Sequence, residues 1–165
     1  MKSKDQFLQI RVTPNEKAAI KAAAARAGMD MSRWVLNKLF PAAQQTFQEL
    51  ARSLSAADPA RRRYVLADLN DFLTPLDPFT LRQAVADAPP AALEPYLANY
   101  IAAMVETAAG RTDIPPPSWT AAIAALPEPV FGTALPGVRL HLLLRSPPAF
   151  RRRNIFIDAS VGDRV

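Results

Sequence analysis

The sequence predicts a mainly helical protein in three parts. Residues 1–41 form a module of one strand and two helices, 42–110 a helical region, and 111–165 a proline-rich segment with room for one more short strand. Three observations carry this reading. Apolar residues recur at three- and four-residue spacing through much of the chain, the mark of amphipathic helices. One early stretch, FLQIRV, alternates with a period of two instead, the mark of a half-buried strand. Sixteen prolines and five glycines keep the segments short.

In FLQIRV, Leu8, Ile10 and Val12 share one face and Phe7, Gln9 and Arg11 the other. Thr13-Pro14-Asn15-Glu16 then reads as a helix start. Thr13 is the cap, Pro14 suits the first helical position, and Glu16 completes a capping box. This helix runs through Ala27 and stops at Gly28, a residue at ease in the left-handed region. Asp30 or Ser32 caps a second helix with the apolar stripe Trp34, Val35, Leu36 and Leu39, and Pro41 lies just past its end.

Forty residues with a single strand leave both strand edges unpaired and cannot close a core. A second copy resolves this. Two strands make an antiparallel ribbon whose inner face packs on four helices. The predicted dimer core is Leu8, Ile10, Val12, Ile20, Trp34, Val35, Leu36 and Leu39. The outer face then presents Gln9 and Arg11 twice, and these side chains suit adenine and guanine edges in a major groove that admits a two-stranded ribbon. Phe7 either stacks on a thymine methyl or closes the ribbon's end. Lys2 and Lys4 make a basic arm suited to phosphates.

The stretch LQIRVTPNEKAAIKAAAARAGMDMSRWVLNKL resembles a ribbon-helix-helix DNA-binding domain of the CopG/Arc-like kind found in bacterial antitoxins and plasmid repressors. The resemblance covers residues 5–41. It implies a homodimer that reads double-stranded DNA with positions 7, 9 and 11. It also implies that the start of the second helix, Met31, Ser32 and Arg33, offers backbone amides to a phosphate, and a helix N-terminus is a ready anion site on physical grounds too.

Charge agrees with that placement. The net charge is +5. Residues 1–41 hold eight Lys/Arg against three acids, 42–110 five against eight, and 111–165 seven against four. The basic excess therefore lies in the first module and again at the far end. With no cysteine, disulfides, thiolate metal sites and cysteine catalysis are excluded. MKSKDQ lacks the apolar run of a signal peptide, and no apolar stretch approaches membrane-spanning length. The expectation is a cytoplasmic bacterial protein with no membrane partner. There is no phosphate-binding glycine loop, metal-ligand spacing or nucleophile elbow, so the reading is a non-enzyme without cofactor or metal. His141, the one histidine, lies in an apolar run and reads as structural.

Beyond the module, Ala42–Ala57 reads as a helix with Phe47, Leu50 and Leu54 inside. Asp58-Pro59 starts the next, carrying Tyr64, Val65, Leu69 and Phe72, and Asp77-Pro78 starts a short one. Ala91–Ala109 reads as a long helix bent near Pro95 and ended by Gly110, and Trp119–Leu126 as a short one. Val138–Leu144 is either a strand or a short buried helix. Arg61, Arg62 and Arg63 read as a solvated face. Arg151, Arg152 and Arg153, flanked by Phe150, Ile155 and Phe156, form either a partner surface, where arginines and aromatics anchor binding, or an edge strand guarded by charge.

The functional expectation is a dimeric, sequence-specific DNA-binding repressor. The resemblance implies an antitoxin that also neutralises a cognate toxin through the extension, although that family's neutralising tails are usually short and flexible. Pro115 to Asp158 is the candidate toxin-binding region. One alternative is a plasmid-maintenance or general transcriptional regulator with no toxin. Another, of a different class, is a helical interaction module that uses its N-terminus only to dimerise.

Overall fold

A computed structural model describes residues 9–39, 41–89 and 93–158. The chain divides into two compact units, Met1–Pro41 and Ala42–Val165. Its secondary structure is mainly helical.

The first unit contains α1 (Pro14–Arg26) and α2 (Met31–Leu39), which pack together. Thr13 caps α1 and forms the complete capping box with Glu16. The helix ends where Gly28 takes φ 65°, with the Met29 amide donating to the Ala24 carbonyl at 3.0 Å. That six-to-one bond with a left-handed glycine is the Schellman arrangement. Of the two proposed caps for α2, Asp30 does the work: its carboxylate accepts the Arg33 amide at 2.8 Å.

The second unit begins with α3 (Ala42–Ala56), which packs on α4 (Pro59–Leu73) and α5 (Pro78–Ala84). Both Asp-Pro starts fold as expected. Asp58 accepts the amides of Ala60 and Arg61, and Asp77 those of Phe79 and Thr80. The Thr80 hydroxyl, first among several donors, holds the Asp77 carboxyl below its usual range. Arg62 departs from the solvated-face expectation by making a bidentate pair with Glu94 at 2.8 and 2.9 Å.

The central helix α6 (Pro95–Arg111) buries most of its residues, Leu97, Ile101, Val105 and Ala108 among them. It is not bent at Pro95. The proline is its first residue, where a missing N–H costs nothing. Gly110 lies inside the helix, and Asp113 (φ 54°) supplies the left-handed turn as the Ile114 amide reaches back to the Ala109 carbonyl at 3.0 Å.

The helix expected over Trp119–Leu126 is shortened to α7, Ser118–Ala121. The reason is that side chains from elsewhere claim its carbonyls. Arg153 donates to the carbonyls of Thr120 and Ile123, Asn99 to that of Ala124, and Asn154 to that of Leu126. Next come β1 (Val130–Phe131), a 3-10 turn (Pro136–Val138), α8 (Arg139–Arg145), α9 (Pro148–Arg151) and β2 (Ile155–Phe156). The strands pair in parallel, Val130 with Ile155 and Phe131 with Phe156. The alternatives for Val138–Leu144 thus resolve to a helix, and only Leu142 in α8 is buried. The short strand lies at β1 and β2 instead.

Arg153 is buried, 6% exposed, and joins these pieces. It pairs with Glu106 of α6 and donates to Asn99 Oδ1 at 3.1 Å and to the Thr120 carbonyl at 2.8 Å. Its Nε has no partner. Removing one member of a buried pair strands the other charge. Arg153→Met should therefore lower the unfolding free energy in urea by about 3–5 kcal/mol. Adding Glu106→Met should recover much of that loss, and a double variant no more stable than the single one would contradict this account.

Candidate nucleic-acid interface

The residues expected to meet DNA belong to the first unit. Lys2, Lys4, Phe7 and Leu8 lie outside the described residues. Gln9 and Arg11 are exposed, as are Ile10 (58%) and Val12 (41%). Residues 9–12 take no regular structure in the single chain. Every ladder hydrogen bond of a two-stranded ribbon comes from the other strand, so one copy has nothing to pair with.

The proposed dimer-core positions on the helices are not core within one chain. Ile20, Trp34 and Val35 are half-buried, while Leu36 (37%) and Leu39 (51%) face solvent. Ala24 is the buried residue of α1. Small alanines allow close helix approach but offer little area to bury.

Met31, Ser32 and Arg33 are exposed at the start of α2. The phosphate role predicted for the Arg33 amide needs correction. That amide already donates to the Asp30 carboxylate at 2.8 Å. Near the end of α2, the Lys38 ammonium stands 5.8 Å from the Trp34 ring centroid, a cation–π contact.

The second candidate surface is largely interior. Phe150 (5%), Ile155 (0%) and Phe156 (8%) are buried, and Arg153 is buried with them. Phe150 meets Tyr100 edge-on at 5.1 Å and Phe156 stacks on Phe131 at 5.1 Å. Only Arg151 and Arg152 remain exposed, and Arg152 also reaches Glu106, at 3.4 Å. A shallow hollow of about 160 Å³ beside them is lined by Glu106, Thr120, Arg152 and Arg153. Glu106 already answers its cations. Sequence reasoning missed the partners Glu106 and Asn99. The legible signal is the pair itself: Asn99 and Glu106, seven residues apart, put two polar groups on one face of an otherwise apolar helix.

Residues 2–56 match the model of the NikA-like family, described as mobilization protein NikA. This is a plasmid-related ribbon-helix-helix family, so the resemblance lies there rather than with the CopG/Arc-like group. The match spans about a third of the chain. No curated protein and no solved structure matches. Among the described residues, no helix is long and apolar enough to cross a membrane.

The capping box gives a test of local order. Its Glu16 carboxyl is held below the usual range, first by the Thr13 backbone amide and then by the Thr13 hydroxyl. Such a group stabilises the folded state above its unfolded pKa, and that contribution disappears as pH falls through the depressed folded value. Amide exchange at the start of α1, relative to the intrinsic rate, should therefore accelerate on acidification. Thr13→Ala should show the faster exchange already at neutral pH and lose most of the acid response. An unchanged acid response would place its origin elsewhere.

Proposed function

We propose that this protein is a dimeric, sequence-specific DNA-binding protein of the ribbon-helix-helix type that acts on plasmid DNA. The observation that carries the reading is the family match over residues 2–56. The exposure of Ile10, Val12, Leu36 and Leu39 supports it, since a second copy would cover them. In the proposed dimer, residues 7–12 of two chains form the ribbon. Gln9 and Arg11 then stand on its outer face as base readers, and Phe7 lies at its end. Lys2, Lys4 and Arg33 would meet phosphates by charge, and Met31 and Ser32 by their amides. Such contacts set affinity and salt dependence, while the base readers set sequence.

The printed name of the matched family, mobilization protein, favours plasmid mobilization over toxin neutralisation. Of the side chains singled out for a toxin, Phe150, Arg153, Ile155 and Phe156 are interior, which weakens the antitoxin reading at that cluster. A non-enzymatic role in the cytoplasm, without cofactor or metal, is part of the proposal.

The experiment is selection of binding sites from random duplex DNA, followed by mobility shifts. The selected site should be a near-palindrome. Arg11→Ala should cost about 1–3 kcal/mol per lost bidentate base contact and relax preference at symmetric positions. Lys4→Ala should weaken all sequences alike and flatten the salt dependence. Specific binding unaffected by Arg11→Ala would refute the groove assignment. Sedimentation tests the pairing separately: the native chain should run as a dimer and Ile10→Asp as a folded monomer.

A further inference from the structure

The second unit carries an apolar surface that its own core does not use. In α8 the buried residue is Leu142, and helical geometry at about 100° per residue sets Leu140 and Leu144 on the far side from it. Leu140 is 67% exposed and Leu144 70%, with Leu143 at 40% beside them. The preceding 3-10 turn, which packs on α8, adds Val138 (37%), and Leu135 (64%) stands just before it. Isolated exposed leucines need no explanation, but a run of them opposite a helix's anchored side marks an interaction site.

The site is preformed. The Ser146 hydroxyl lies 2.7 Å from the carbonyls of both Leu142 and Ile157, fixing the end of α8 to the chain beyond β2. The Arg139 guanidinium sits 5.0 Å from the Phe131 ring centroid, fixing its start. His141 stands 3.6 Å from Asp158.

Charge selects the occupant. Between Glu128 and Asp158 the sequence has five arginines and no acid. Arg152 and Arg153 are answered by Glu106, but among the described residues no acid forms an ion pair with Arg139 or Arg145 at the two ends of α8. A second copy would set arginine against arginine across the leucines. Nucleic acid would find the charge but leave the leucines unsatisfied. We propose that this face docks an acidic amphipathic segment of another protein, whose apolar side chains cover Leu140, Leu143 and Leu144 while its carboxylates meet Arg139 and Arg145. The proposal does not depend on DNA binding by the first unit.

The test uses the full chain and a fluorescein-labelled amphipathic helical peptide with leucine on one face and glutamate on the other, followed by anisotropy. An otherwise identical peptide carrying lysine is the control. The glutamate peptide should bind at least about tenfold more tightly than the lysine peptide. Leu140→Ser with Leu144→Ser should weaken it about tenfold or more without shifting the melting temperature. Arg139→Glu with Arg145→Glu should reverse the preference toward the lysine peptide, a gain that unfolding cannot mimic. Equal binding of both peptides, or binding indifferent to the leucine changes, would overturn the proposal. So would phosphatidylglycerol vesicles that bind through the same leucines, or a self-association that the leucine variant abolishes.

Discussion

A buried guanidinium governs the second unit. Arg153 cannot lose its proton in a protein, so its burial demands acceptors. They come from two separate stretches: Glu106 and Asn99 on α6, and the carbonyls of Thr120 in α7 and of Ile123 just past it. The consequences spread outward. Residues 123–126 are not helical, and side chains from elsewhere take the carbonyls of Ile123, Ala124 and Leu126. Asn154 takes φ 58° and sends its amide to the Leu126 carbonyl at 2.6 Å. Ile155 then enters the core and pairs with Val130, closing the two-stranded sheet. The unpartnered Nε is what this arrangement leaves unpaid.

The first unit lives under the opposite constraint. It has about as few residues as a chain can have and still enclose a core without staples. Its helices are rich in alanine, whose burial returns little free energy. Its larger apolar side chains, Ile10, Leu36 and Leu39, remain in solvent. In the proposed dimer a second copy would cover them. This links the composition of the unit to the proposed function without invoking any catalytic residue.

Local signals were legible and distant ones were not. Thr13 with Glu16, Asp58 with Pro59, Asp77 with Pro78, and Gly28 each act within a few residues, so the sequence displays them directly. The strand expected at 7–12 is not seen among the described residues: 9–12 take no regular structure in the single chain. The short helix at 119–126 failed for a nonlocal reason, since its competitors for hydrogen bonds lie at 99, 153 and 154. Two runs of three arginines look alike in sequence and behave differently. Arg62 of the first pairs with Glu94 near the surface, whereas Arg153 of the second is interior. Nothing in either run announces where its carboxylate partner lies. For the candidate interface, Gln9 and Arg11 are exposed, but Ile10 and Val12 between and beside them are exposed too, so exposure does not separate the two faces in the single chain. The Arg33 amide departs from the sequence reading, because the cap that starts α2 also occupies it.

The two sets of exposed apolar residues differ in where charge stands relative to them, and this separates a self-interface from a foreign one. In a ribbon, alternation sends Ile10 and Val12 to one face and Gln9 and Arg11 to the other. An identical copy can then approach the apolar face while its cations remain outside. On α8 the geometry denies that option. Arg139, Leu140, Leu143 and Leu144 occupy one continuous arc of a seven-residue helix, and Arg145 closes it from the far side. Two such faces brought together would force like charges into the same desolvated rim, at a cost that leucine burial must first offset. A partner with carboxylates in those places turns the same cost into attraction. The sign and position of the charge, more than the apolar area, are what favour a second copy at the first proposed surface and a different molecule at the second.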